Sequence, residues 1–418
     1  MTARFTVLPN GLTVATDPMP GVETATLGVW VGSGTRNETA PINGVAHMLE
    51  HMAFKGTRTR SAFDIASQIE AVGGFLNAYT GRESTAYYAL VLGDDVPIAL
   101  DILSDILLES VFDEEEIERE RSVILQELGQ SLDTPDDIIF DHFQETAFPN
   151  QGLGRPVLGR AEIIEGLGSD TVRAFMKDHY VGQSMVLSAA GKVDHDKLVE
   201  QAARLFDRIP AGETKESDPG HYKGGLYQEA RELEQVHLVL GFEGLPTQHD
   251  HYYTLCLYSA LLGGGMSSRL FQEVREQRGL AYSVSSFTSA YKDTGLLGIY
   301  AGTSSEMVDE LVGLVGKILK DMPKSLTAEE LGRARNQFKA HVLMSRESSH
   351  TRCEQLAYQM ITYGRPLATK EFIDCVSAVE INDVCEVAEQ ITQSKPTIVA
   401  IGPDSSIDKV LGFEQALH

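Results

Sequence analysis

Basic residues, cysteines and long apolar runs are all scarce in this chain, and each shortage excludes something. No apolar run reaches the length of a membrane-spanning helix. The opening stretch from Met1 to Gly11 lacks the apolar core of a secretory leader and reads directly into a strand and a turn, so a cytoplasmic location is expected. The four cysteines (Cys256, Cys353, Cys375, Cys385) all fall in the second half, with no CxxC spacing. They fit neither a disulfide framework nor a cysteine-bound metal, and read as reduced, buried thiols. Against 60 Asp+Glu stand only 35 Lys+Arg, for a formal net charge of −25. A surface of that sign repels nucleic acid and anionic lipid, so neither is an expected partner.

The 418 residues exceed what one hydrophobic core organises comfortably, which points to two domains of about 200 residues each. An internal repeat supports the division. Phe75 to Thr80, Thr85 to Leu90 and a helix over about 96–108 correspond to Leu280 to Val284, Gly295 to Tyr300 and a helix over about 306–319. Val186 to Gly191 and Thr397 to Gly402 close the two halves with similar strands. The offset of about 205 to 211 residues is that of a duplicated domain rather than a solenoid. The polar stretch Ala211 to Gly220 reads as a linker, giving domains at 1–212 and 221–418. The expected fold class is α+β, with two homologous domains, each an antiparallel-rich sheet with helices packed on one face.

The most informative stretch is His47-Met48-Leu49-Glu50-His51. On a helix, positions i and i+4 stack on one face with i+3 beside them, so two imidazoles and a carboxylate converge. A divalent metal such as zinc takes that donor set, here in the inverted order His-x-x-Glu-His. Composition alone would produce the pattern roughly 0.05 times in a chain with 12 His and 60 Asp+Glu. A catalytic zinc also needs a third protein ligand and an open position. The run Glu118 to Glu127 reads as a helix on which Glu120 and Glu127 face the same way. Val123, Ile124 and Leu125 suggest that much of this helix is buried. On spacing alone, Glu118, Glu120 and Glu127 fit a metal-facing helix and an acidic surface helix equally well. In the second half the repeat sets Leu255, Tyr258 and Ser259 opposite His47, Glu50 and His51, and none of these suits zinc. Gly263 to Gly265 reads as a helix exit rather than a phosphate loop. Arg275 and Tyr282, seven apart, would on spacing alone be a surface arginine and a core tyrosine.

His47 to Thr57, together with Glu118 to Glu127, resembles the zinc motif of the pitrilysin family of metallopeptidases, most nearly its mitochondrial-processing-peptidase branch and the bacterial relatives. The likeness runs along nearly the whole chain, including Leu76 to Thr80 and Gly159-Arg160. It implies zinc ligation by His47, His51 and Glu127, the last 76 residues beyond His51, with Glu50 as general base and Glu120 supporting the site. It implies that Arg275 and Tyr282 reach the substrate and its oxyanion from the opposite half of a clamshell, where a guanidinium and a phenol are suitable donors. It also implies a peptide that adds as a strand along Leu76, Asn77 and Ala78. The implied enzyme is a zinc endopeptidase with one zinc per chain, cutting peptides or unfolded segments inside a closed chamber. Because the metal motif and the Arg/Tyr pair share one chain, a homodimer is expected ahead of a pairing with a paralogous subunit. The acid-rich stretches Asp113 to Glu120 and Asp133 to Glu145 read as a solvated face, or as a chamber lining that attracts basic peptides. The alternative is a non-catalytic scaffold subunit of a heterodimer, and the intact His47, Glu50, His51 and Glu127 weigh against it. An S-ribosylhomocysteine lyase, which carries the same motif, would be much shorter and unduplicated.

Overall fold

The computed structural model describes residues 3–212 and 215–417. Glu213 and Thr214 of the expected linker, and Met1 and Thr2 of the expected opening strand and turn, lie outside the described residues. Two compact units divide the chain. The first comprises Met1–Gly129, Arg155–Asp218 and Leu343–Ala368, and the second Gln130–Gly154, Pro219–Val342 and Thr369–His418. Each unit therefore takes in one segment from the other's half of the sequence.

The first unit holds a sheet of β1 (Arg4–Val7), β2 (Thr13–Pro18), β3 (Thr24–Val31), β4 (Phe75–Thr80), β5 (Thr85–Leu92) and β6 (Met185–Gly191), in the order β1-β2-β6-β3-β5-β4. Neighbours are antiparallel except β2 and β6. The second unit holds β7 (Gly225–Ala230), β8 (Val236–Glu243), β9 (Ala281–Ala290), β10 (Gly295–Thr303) and β11 (Thr397–Gly402), in the order β7-β11-β8-β10-β9. Here only β7 and β11 run parallel. From β2 onward the two sheets share one plan, with the parallel pair in the same place.

Every residue of β6 and of β11 is buried. A strand buried on both faces needs cover on both faces. In the first unit one face, including Leu27, Val29, Tyr87 and Leu187, packs on α1 (Val45–Met52), α2 (Ala62–Ala71), α3 (Val96–Leu108) and α4 (Glu114–Leu132). The other face, with Ala15, Trp30, Ala86 and Val186, packs on Cys353, Leu356, Ala357 and Met360 of the helix Ser349–Tyr363. In the second unit α5 (Pro135–Ala147) plays that part, with Ile139 and Phe143 against Val239, Val399 and Ile401. Helices on one face, as the sequence suggested, is thus corrected to helices on both, because the second layer comes from the exchanged segment.

All four cysteines are free, but the expectation of buried thiols holds only for Cys353. Cys256 and Cys385 are half-buried and Cys375 is exposed, on the helix Thr369–Ala378 whose one buried residue is Val376. Among the described residues, no helix is long and apolar enough to cross a membrane.

Candidate metal centre

The helix α1 is short and has no side-chain cap from its N-cap residue, Gly44. Glu38 does the capping instead. Its Oε1 accepts the Ala46 N–H at 2.8 Å, and its Oε2 accepts the Gly44 N–H at 2.9 Å and the Asn43 Nδ2–H at 2.8 Å. A carboxylate there satisfies donors that have no intrahelical partner and meets the positive end of the helix dipole. Burial raises Glu38 to about 7, opposed by those donors. Gly44 enters the helix at φ +99°, a conformation that favours glycine. It also packs so closely on Gly159 that a Cβ on Gly159 would lie 2.7 Å from the Gly44 Cα.

One turn apart on α1, the rings of His47 and His51 stand 4.6 Å centroid to centroid. Their Nε2 atoms lie 3.8 and 3.6 Å from the same Glu127 Oε2. Those separations are too long for hydrogen bonds. They approach the roughly 3.3 Å expected between ligand atoms that each sit about 2 Å from one tetrahedral ion. The three ligand atoms fall within 4.8 Å of one another, and among the described residues no second group of His, Cys, Asp and Glu does so. Burial, aided by the neighbouring His51, lowers His47 to about 4. Its imidazole is therefore neutral at ordinary pH, the form that binds metal. The buried Nδ1 of His47 has no hydrogen-bond partner. Two imidazoles and a carboxylate that is 41% exposed fit a zinc that keeps one side open.

Glu120 and Glu127 come from α4, whose inner face carries Ile117, Glu120, Ile124 and Ser131, all buried. Val123, expected inside, is 38% exposed because it lies off that stripe. Glu118 also points outward and pairs with Arg121. The Glu120 carboxylate lies 2.9 Å from His51 Nδ1 and 2.6 Å from Lys55 Nζ. With its proton on Nδ1, His51 donates to Glu120 and leaves Nε2 bare toward Glu127. Glu50 accepts a 2.6 Å hydrogen bond from the Thr80 hydroxyl. Burial raises the Glu50 carboxyl above its ordinary range, against that hydrogen bond.

Thr80 ends β4, an edge strand, which among the described residues pairs only with β5. By strand alternation Leu76 and Ala78 share its face, and both pack against the core that holds Met48. Asn77 is exposed, and its side-chain oxygen accepts the Ala78 N–H at 2.9 Å.

In the second unit, Arg275 lies in the helical turn Phe271–Glu276 and Tyr282 near the start of β9, the edge strand of that sheet. The guanidinium carbon sits 4.5 Å from the Tyr282 ring centroid and 4.9 Å from that of Phe271. Tyr282 is 77% exposed, not a core residue. The arginine is thus held between two aromatic faces. Leu255, Tyr258 and Ser259 are buried in the helix Tyr252–Gly263. The contacts of Thr80, Lys55 and Phe271 are absent from the spacing, although the first two residues stand inside the motifs. Glu38 leaves no signal, since it lies six residues before the N-cap, beyond the reach of helix-start patterns.

Residues 13–161 match the family model described as insulinase (peptidase family M16), and residues 167–338 match the peptidase M16 inactive domain. An uncharacterized zinc protease of Streptomyces coelicolor is 38% identical over 412 residues, covering 96% of this chain and 90% of that protein. The probable mitochondrial-processing peptidase subunit beta of Arabidopsis thaliana is 37% identical over 416 residues, 96% of this chain and 78% of that one. A protease from Helicobacter pylori shares the fold, with a TM-score of 0.88 at 22% identity over 96% of this chain and 99% of its own. Fold and relatives together define a protein of the zinc metallopeptidase class. Within that class the chain belongs to the pitrilysin family, peptidase family M16.

Proposed function

We propose that the chain is a zinc-dependent endopeptidase that hydrolyses peptides or unfolded segments inside a chamber closed by two protomers. The observation that carries this reading is the convergence of His47 Nε2, His51 Nε2 and Glu127 Oε2 beside Glu50, which Thr80 links to an open sheet edge. When bound, zinc would polarise the scissile carbonyl as a Lewis acid and make water a stronger nucleophile. His47, His51 and Glu127 hold one ion per chain, and Glu120 orients His51. Glu50 takes the proton from the attacking water and passes it to the departing amine. Its burial favours taking that proton.

The substrate adds as a strand along Leu76, Asn77 and Ala78, where main-chain hydrogen bonds give affinity without demanding one sequence. Arg275 and Tyr282 donate to the carbonyl oxygen as charge develops on it. In a homodimer they serve the other protomer's site. A folded protein and its denatured form, each incubated with the chain, test the reading. Fragments should arise from the denatured form alone, vanish with a chelator and return with added zinc. Equal cleavage of the folded form contradicts the chamber, and cleavage indifferent to chelation contradicts the metal.

A further inference from the structure

We infer that Lys55 is a positioning residue for the metal centre, acting by anchoring Glu120 and through it the ring of His51. The inference rests on the zinc reading of His47, His51 and Glu127. The Glu120 side chain is only 7% exposed, and a carboxylate buried to that degree needs compensation. Its two oxygens are divided between two partners. Oε2 meets His51 Nδ1 at 2.9 Å, and Oε1 meets the ammonium of Lys55 at 2.6 Å. Lys55 reaches it from the turn just past α1, where its N–H donates to the Met52 carbonyl at 3.2 Å.

Both partners therefore approach from the end of α1, while the carboxylate belongs to α4. With both oxygens engaged, the Glu120 carboxylate cannot rotate without breaking a bond. That fixes the plane of the His51 ring. It also ties α1 to the helix that carries Glu127, and so supports the 3.6 Å approach of His51 Nε2 to Glu127 Oε2. The sign of the effect separates this role from simple electrostatics. A lysine felt only as a charge repels a dication, so its loss would tighten zinc binding. A lysine that holds Glu120 in place does the opposite, and partners that orient a ligand histidine typically matter ten- to hundredfold in metal affinity.

The test is zinc affinity measured by chelator competition on the full chain. It compares the parent with Lys55→Met, Lys55→Arg, Glu120→Gln and the Lys55→Met/Glu120→Gln double variant, alongside the melting temperature of each metal-free chain. Lys55→Met should weaken zinc about tenfold and lower the metal-free melting temperature, because Glu120 stays buried without its ammonium partner, and Lys55→Arg should recover most of both losses. The double variant should bind no worse than Glu120→Gln, because residues acting through one interaction do not add. Unchanged or tighter zinc in Lys55→Met, additive losses, or parental zinc affinity restored in the double variant along with its melting temperature would each overturn the inference. His47→Ala is the reference. If it too keeps full zinc affinity, the zinc reading of the site has failed. If it abolishes binding while Lys55→Met does not weaken it, only the role of Lys55 has failed.

Discussion

The hydroxyl of Thr80 donates a 2.6 Å hydrogen bond to Oε2 of Glu50, joining the edge strand β4 to the helix of the metal motif. On the opposite face of the same strand, Tyr79 donates to Glu354 at 2.7 Å and accepts from Trp30 Nε1 at 3.1 Å. The edge on which a peptide would dock is thus held from both sides next to the carboxylate that would act on it. Thr80→Val should lower kcat about tenfold, the size of effect expected when a hydrogen bond to a charged group is lost. KM and zinc content should stay near the parent values, and Thr80→Ser should retain most of the turnover. A Val variant with parental kcat contradicts the link.

Glu38 is predicted to make stability depend on pH. Its carboxyl is raised from 4.5 to about 7 in the folded chain, so the folded state holds a proton that the unfolded state has released. The sign follows: stability falls as pH rises from about 4.5 to about 7 and then levels off. Glu38→Gln should lack that fall, and Glu38→Ala should be less stable at every pH because three buried donors lose their acceptor. Denaturant titrations at several pH values check this, and identical slopes in parent and Gln variant would contradict it.

Much of this arrangement is legible in the sequence. The i, i+3, i+4 spacing sets His47, Glu50 and His51 on one helix, and the internal repeat marks the segments that form β4 at 75–80, β11 at 397–402 and α3 at 96–108. The seven-residue spacing brings Glu120 and Glu127 to one face of α4. What stays hidden depends on distant partners. Nothing local in Ser349–Tyr363 says that it covers the sheet of the first unit, because an amphipathic helix packs equally well on any complementary apolar face. The same holds for Val123, which reads as core on hydrophobicity but lies outside the stripe set by Ile117 and Ile124. The helix expected over 306–319 runs over Val308–Ser325, because its apolar face continues through Met322.

Mixing two inactive chains tests the proposed division of labour between protomers. Glu50→Gln and Tyr282→Phe chains, each nearly inert alone, should regain activity after subunit exchange. One site of each mixed dimer would then combine an intact Glu50 with an intact Tyr282. Recovery up to about half of the parental sites per mixed dimer is the expected ceiling, since the second site carries both lesions. If mixing restores nothing, the donors do not act across a dimer.

The central claim, that Glu50 is the base beside a zinc held by His47, His51 and Glu127, is tested most directly by measuring bound zinc and peptide turnover on the same samples of parent, Glu50→Gln and His47→Ala. The account predicts about one zinc per chain in the parent and in Glu50→Gln, with turnover nearly abolished in the latter because an amide cannot accept the proton. It predicts loss of both zinc and turnover in His47→Ala. Substantial turnover by Glu50→Gln, or full zinc in His47→Ala, would contradict it.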